Sequence, residues 1–107
     1  MIPPGSLGIA DITIRDVQDA VCHHFGLHPI DMVSQRQGGG VAWPRQVAMY
    51  LATRLTTCSL PVIGHHFGNR DHSTVTYAAK KVSQRMQDDP ELADTVQQLV
   101  AQFGGEA

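Results

Sequence analysis

Gly64-His65-His66-Phe67-Gly68-Asn69-Arg70-Asp71-His72-Ser73-Thr74-Val75 reads as the end of a short helix, a tight turn and the start of a second helix. Gly68 and Asn69 both tolerate positive φ, which makes them a turn dipeptide. Asp71 is a good N-cap because its carboxylate can accept the unpaired N–H groups of the turn that follows. His72, Ser73 and Thr74 then lie on the first turn of the second helix, with Arg70 just before it. A helix-turn-helix needs polar side chains at that end to read base edges in a major groove. An ordinary helix hairpin with a capped second helix fits the same residues.

The flanking sequence is helical by the same kind of reading. Thr13 caps a helix with Asp16 in the third position, and Ile14, Val17, Val21 and Phe25 recur at spacings of three and four until Gly26 stops it. His28 to Val33 is a short helical turn with Pro29 near its start. Gln35 to Val41, with three successive glycines, is expected to be a loop. Pro44 suits the first turn of the next helix, whose apolar stripe is Val47, Ala48, Leu51, Ala52 and Leu55. Arg45, Gln46, Met49 and Thr53 are expected on its other faces.

Ser59 caps a helix from Leu60 to Phe67, with Pro61 in its first turn. Gly64 inside it costs helix propensity, which a close helix–helix approach would explain. The helix after Asp71 runs to about Gln87 and buries Val75, Ala78, Ala79, Val82 and Met86. Ser73, Thr76, Tyr77, Lys80 and Gln84 fall on its opposite side. Asp89 caps a last helix from Pro90, with Leu92, Val96, Leu99, Val100 and Phe103 apolar and Gly104-Gly105 at its end. No segment alternates with period two and there are no internal repeats. An all-α, compact bundle of about six helices follows, spanning residues 12–103 between a flexible arm (1–11) and a flexible tail (104–107).

The 107 residues suffice for one small domain, and 42 % hydrophobic content is ordinary for a globular chain. No apolar run approaches the roughly 18 residues of a membrane span. The N-terminal residues lack the features of a secretory signal, so a cytoplasmic location is expected. Cys22 and Cys58 lie in or beside apolar segments and are expected in the core. The net charge of −2 is unevenly spread. Residues 1–33 sum to −3, residues 34–87 to +6 and residues 88–107 to −5. A basic centre between acidic ends is either a polyanion footprint or an ordinary solvated face.

Other chemistries are poorly served. The adjacent pairs His23-His24 and His65-His66 diverge by about 100° on a helix, so neither pair can clamp a metal. Gly38-Gly39-Gly40 lacks the Gly-Lys-Ser/Thr and the preceding strand of a phosphate-binding loop. No nucleophile motif appears, and Asp88-Asp89 is a helix boundary rather than a catalytic pair. No enzyme activity, cofactor or metal is expected. Trp43 reads as a core anchor rather than a wedge between bases.

Three blocks then carry a resemblance: Ala42-Trp43-Pro44-Arg45-Gln46-Val47-Ala48-Met49-Tyr50-Leu51, Ser59-Leu60-Pro61-Val62-Ile63-Gly64, and Phe67-Gly68-Asn69-Arg70-Asp71-His72-Ser73-Thr74-Val75. Over about residues 12–103 the chain resembles the C-terminal DNA-binding domain of the bacterial replication initiator DnaA. The third block looks like that family's signature. The resemblance implies a Trp-repressor-like helix-turn-helix bundle that binds a short asymmetric DNA box as a monomer. It places Asp71, His72 and Ser73 at base-reading positions. It implies DNA-backbone contacts from Arg45, Gln46, Leu60, Pro61, Lys80 and Arg36, and from Thr74 and Arg70, which would contact the backbone or support the turn.

Three positions depart from the family pattern. Gln37 stands where a loop arginine enters the minor groove, Trp43 where arginine is usual, and Thr53 where lysine is common. Each lost phosphate contact would make the salt slope shallower by about 0.9, and loss of the minor-groove arginine would relax reading of an A·T-rich flank. The chain has no room for the family's ATPase domain. A stand-alone or excised domain would occupy boxes without melting DNA, competing with the initiator or regulating initiation or transcription. The alternative is a protein-interaction module that keeps the fold with weak DNA affinity, with the initiator or its regulators as partners.

Overall fold

A computed structural model of the chain describes residues 12–35 and 38–103. Six helices form among them: α1 (Ile14–Phe25), α2 (Ile30–Val33), α3 (Gly39–Leu55), α4 (Leu60–His66), α5 (His72–Asp88) and α6 (Pro90–Ala101), with no strand. The expected all-α architecture is the one observed. The proposed arm and tail, and Arg36 and Gln37, lie outside the described residues.

Local chemistry sets most of the ends. At α1 the Thr13 hydroxyl accepts the Asp16 N–H at 3.0 Å and the Asp16 carboxylate accepts the Thr13 N–H at 3.0 Å, a reciprocal capping box. Gly26 ends the helix at φ 69°, in the left-handed region. Ser59, Asp71 and Asp89 cap α4, α5 and α6 with their side chains.

The bundle is organised around α3, which packs against all five other helices. Val47, Ala48, Leu51, Ala52 and Leu55 are buried as the stripe predicts. Met49 and Arg45, expected on other faces, are also buried, at 1 % and 4 % exposure. A central helix meets neighbours on more than one side, so a stripe argument underestimates how much of it is enclosed. The start of α3 is a second correction. Gly39, Gly40 and Val41 are helical rather than loop, and Pro44 lies inside the helix instead of in its first turn. Pro44 has no N–H to offer the Gly40 carbonyl, a cost that an exposed glycine near the helix start leaves to solvent.

Cys22 is buried as expected, and burial followed by the charges of Asp19 and Asp31 pushes its thiol up, away from reactivity. Cys58 is exposed, contrary to expectation, because it lies in the α3–α4 connection outside either helix. α6 stops at Ala101, before the glycines expected to end it, and Phe103 packs half-buried just beyond.

Candidate nucleic-acid interface

Two helices and one turn build the site. α4 ends at His66, Phe67 follows, and Gly68 (φ 80°) and Asn69 (φ 59°) reverse the chain in the left-handed region. Arg70 and the N-cap Asp71 then lead into α5. The Asn69 N–H bonds the His65 carbonyl at 3.2 Å and the Arg70 N–H bonds the Gly64 carbonyl at 2.9 Å. Gly64 has no side chain for a specific reason. A Cβ there would land on the carbonyl oxygen of Arg70. The expected close approach is therefore between α4 and the backbone entering α5, rather than between two helix flanks.

Three further carbonyls of the turn, those of His66, Phe67 and Gly68, are also occupied. Gln18 on α1 donates its amide to the His66 carbonyl at 2.9 Å. Arg70 donates Nη1 to the Phe67 carbonyl and Nη2 to the Ser34 carbonyl at 2.8 Å. Gln35 donates to the Gly68 carbonyl at 3.2 Å. Arg70 thus supports the turn through two of its donors. Gln18 and Gln35 are supports of the turn that sequence reasoning missed. For Gln18 the signal was present, since it lies four residues after Ile14 and three before Val21, inside the buried stripe. For Gln35 no local pattern points across 33 residues to Gly68.

The first turn of α5 faces solvent. Asp71, His72, Ser73 and Thr74 are all exposed, as are Thr76, Tyr77 and Lys80 further along. The Asp71 carboxylate accepts the Ser73 N–H at 2.9 Å and its hydroxyl. These two hydrogen bonds hold the Asp71 carboxyl below its ordinary range, with His72 Nδ1 3.7 Å away adding to the shift. Asp71 and Ser73 are therefore oriented by each other, while the His72 ring, 60 % exposed in its side chain, lies in solvent beside the Asp71 carboxylate.

Arg45, Gln46, Arg70, Thr74 and Tyr77 line one open cleft of about 250 Å³ between α3 and α5. Arg45 is not the solvent-facing phosphate anchor its position suggested. Its Nε and Nη2 donate to the Asp31 carbonyl at 3.2 and 2.8 Å, and Nη2 also reaches Ser34 Oγ at 3.2 Å. Burial first, then the nearby Arg70 charge, lowers its pKa. Leu60 and Pro61 are exposed at the start of α4.

The basic centre keeps its charge. Arg85 stacks over Trp43 at 4.2 Å, and Arg54 and Lys81 lie 5.7 Å over Tyr50 and Tyr77. These contacts fix the side chains without neutralising them. Among the described residues Arg54, Arg70, Lys80, Lys81 and Arg85 are not within ion-pair distance of a carboxylate, whereas Arg15 lies 3.9 Å from Asp19. Trp43 is a half-buried core anchor, as expected. Thr53 returns its hydroxyl to the Tyr50 carbonyl at 2.6 Å and adds no charge. No group of three or more metal-binding side chains occurs among the described residues, and no helix there is long and apolar enough to cross a membrane.

Comparison with known proteins agrees with this geometry. The bacterial DnaA protein helix-turn-helix family matches residues 14–82, more than half of the chain. The chromosomal replication initiator protein DnaA of Symbiobacterium thermophilum is 43 % identical over 95 residues, covering 89 % of this chain and 21 % of that protein. DnaA of Caulobacter sp. (strain K31) is 43 % identical over 94 residues, covering 88 % and 19 %. DnaA of Gluconobacter oxydans is 48 % identical over 88 residues, covering 82 % and 18 %. The chain thus spans about a fifth of the length of these relatives. With the capped α5, the Gly68-Asn69 turn and the α4 packing all in place, the chain belongs to the bacterial DnaA helix-turn-helix family.

Proposed function

We propose that this domain binds double-stranded DNA sequence-specifically, at a site like the DnaA box, with the N-terminal turn of α5 in the major groove. The observation that carries this reading is the exposed His72-Ser73-Thr74 turn on a helix whose start is held rigidly by Asp71 and the α4 turn. Asp71, His72 and Ser73 read base edges. Gln46, Arg70 and Thr74, on one cleft, meet the sugar–phosphate backbone together with Lys80 and the α4 start at Leu60 and Pro61. Arg36 joins them from the loop. Arg45, largely buried but lining the same cleft, adds its positive charge to this backbone-facing surface. The domain acts as a monomer without ATPase or melting activity of its own, so it occupies boxes and thereby competes with or regulates initiation or transcription.

Fluorescence anisotropy with a box duplex and a scrambled duplex, across several salt concentrations, tests this. A clear preference for the box is expected, and His72→Ala should reduce it while leaving scrambled-duplex binding intact. Equal, weak binding to both duplexes would sink the reading. In that case a pull-down with full-length initiator would examine the interaction-module alternative.

A further inference from the structure

The end of α2 and the two residues after it form a strap across the back of the helix-turn-helix turn. Three of its residues meet the turn, each by a different chemistry. A Cβ on Gly68 would strike the Val33 carbonyl oxygen, so the two backbones touch directly. The Ser34 carbonyl accepts Arg70 Nη2 at 2.8 Å. The Gln35 amide donates to the Gly68 carbonyl at 3.2 Å. The strap is held from its other side by Arg45 of α3, which bonds the Asp31 carbonyl and Ser34 Oγ. Asp31 also closes its own turn, its carboxylate accepting the His28 N–H at 3.0 Å.

We propose that Ser34 and Gln35 are positioning residues for DNA recognition: the strap Val33-Ser34-Gln35 sets the angle at which the turn presents α5. This rests on the DNA-binding reading above. A buried arginine that donates to the Asp31 carbonyl and to Ser34 Oγ of this segment fits a group that holds geometry. Gln35 is exposed, and its side chain supports little else. Its removal therefore separates positioning from folding.

The test compares wild type, Gln35→Ala, Gln35→Glu and Ser34→Thr. Amide hydrogen exchange is followed at Asn69 and Arg70 without DNA, and anisotropy with box and scrambled duplexes. Gln35→Ala should speed exchange at both amides and cut the box-to-scrambled affinity ratio about fivefold, the scale of one lost hydrogen bond. Scrambled-duplex affinity and its salt slope should stay unchanged. Gln35→Glu, which keeps the shape but loses the donor, should match Ala in exchange. Ser34→Thr keeps the hydroxyl and should match wild type. A wild type that discriminates, with a Gln35→Ala ratio also unchanged, overturns the strap inference alone. A wild type that binds both duplexes alike removes the DNA reading and the inference with it. Loss of scrambled binding in parallel with box binding would mark Gln35 as an ordinary phosphate contact and overturn the positioning role.

Discussion

α3 and α5 are both 17 residues long and pack against each other, yet they use their polar residues in opposite ways. α3 is enclosed by its neighbours, and its Arg45 is turned inward onto main-chain carbonyls. α5 buries Val75, Ala78 and Val82 and leaves a continuous face of His72, Ser73, Thr76, Tyr77 and Lys80 in solvent. The difference is one of position, not composition. An arginine on the central helix serves geometry, whereas a lysine on the half-exposed helix remains available to a ligand.

Perturbing the enclosed helix should have the largest effect. Leu51→Ala removes a fully buried side chain and should cost about 3 kcal/mol. That corresponds to a fall in melting temperature of roughly 12 °C or more, readable by circular dichroism. The fraction that stays folded should keep its box preference. Gly64→Ala comes next, at about 2 kcal/mol, because its methyl meets backbone rather than a movable side chain. Unlike Leu51→Ala, it should also weaken box preference in protein held well below its melting temperature, since it moves the entry to α5.

The comparison is sharpest at Arg45. If its role is geometric, Arg45→Lys keeps the charge but loses the paired bonds to Asp31, and should destabilise by about 1–2 kcal/mol. A lysine variant as stable as wild type would return Arg45 to the class of simple cations. On the other helix, Lys80→Ala should leave stability within about 0.5 kcal/mol. It should make the duplex salt slope shallower by about 0.9, measured as log affinity against log salt.

A smaller effect tests the start of α5. Asp71 has its carboxyl lowered by the Ser73 hydrogen bonds, so its folded value lies below its unfolded one. Its contribution is complete above the unfolded carboxylate value of about 4 and is lost as pH falls through the lower folded value. The gap in melting temperature between wild type and Asp71→Ala should therefore be present at neutral pH and shrink in strong acid. A gap that persisted undiminished in acid would mean the carboxylate charge is not what caps the helix.

Much of this was legible locally. The caps at Thr13, Ser59, Asp71 and Asp89 and the positive-φ pair Gly68-Asn69 each depend on one to three neighbouring residues, and the structure places them as read. The failures were non-local. Pro44 pointed to a helix start by its own preference, but α3 begins five residues earlier, through a glycine-rich first turn whose own propensity for helix is low. Cys58 looked apolar beside Leu55, but it falls past the helix end and faces water.

The sequence by itself determined the helices, their caps and the chemistry presented at the start of α5, because hydrogen-bond rings, capping and side-chain periodicity act within a few residues. Only the tertiary structure decided that α3 packs against all five other helices, that Arg45 holds Asp31 and Ser34, and that Gln18 and Gln35 close carbonyls of the turn. Those bonds join residues 11 to 48 positions apart. Their existence depends on how the helices stack, which no local pattern encodes.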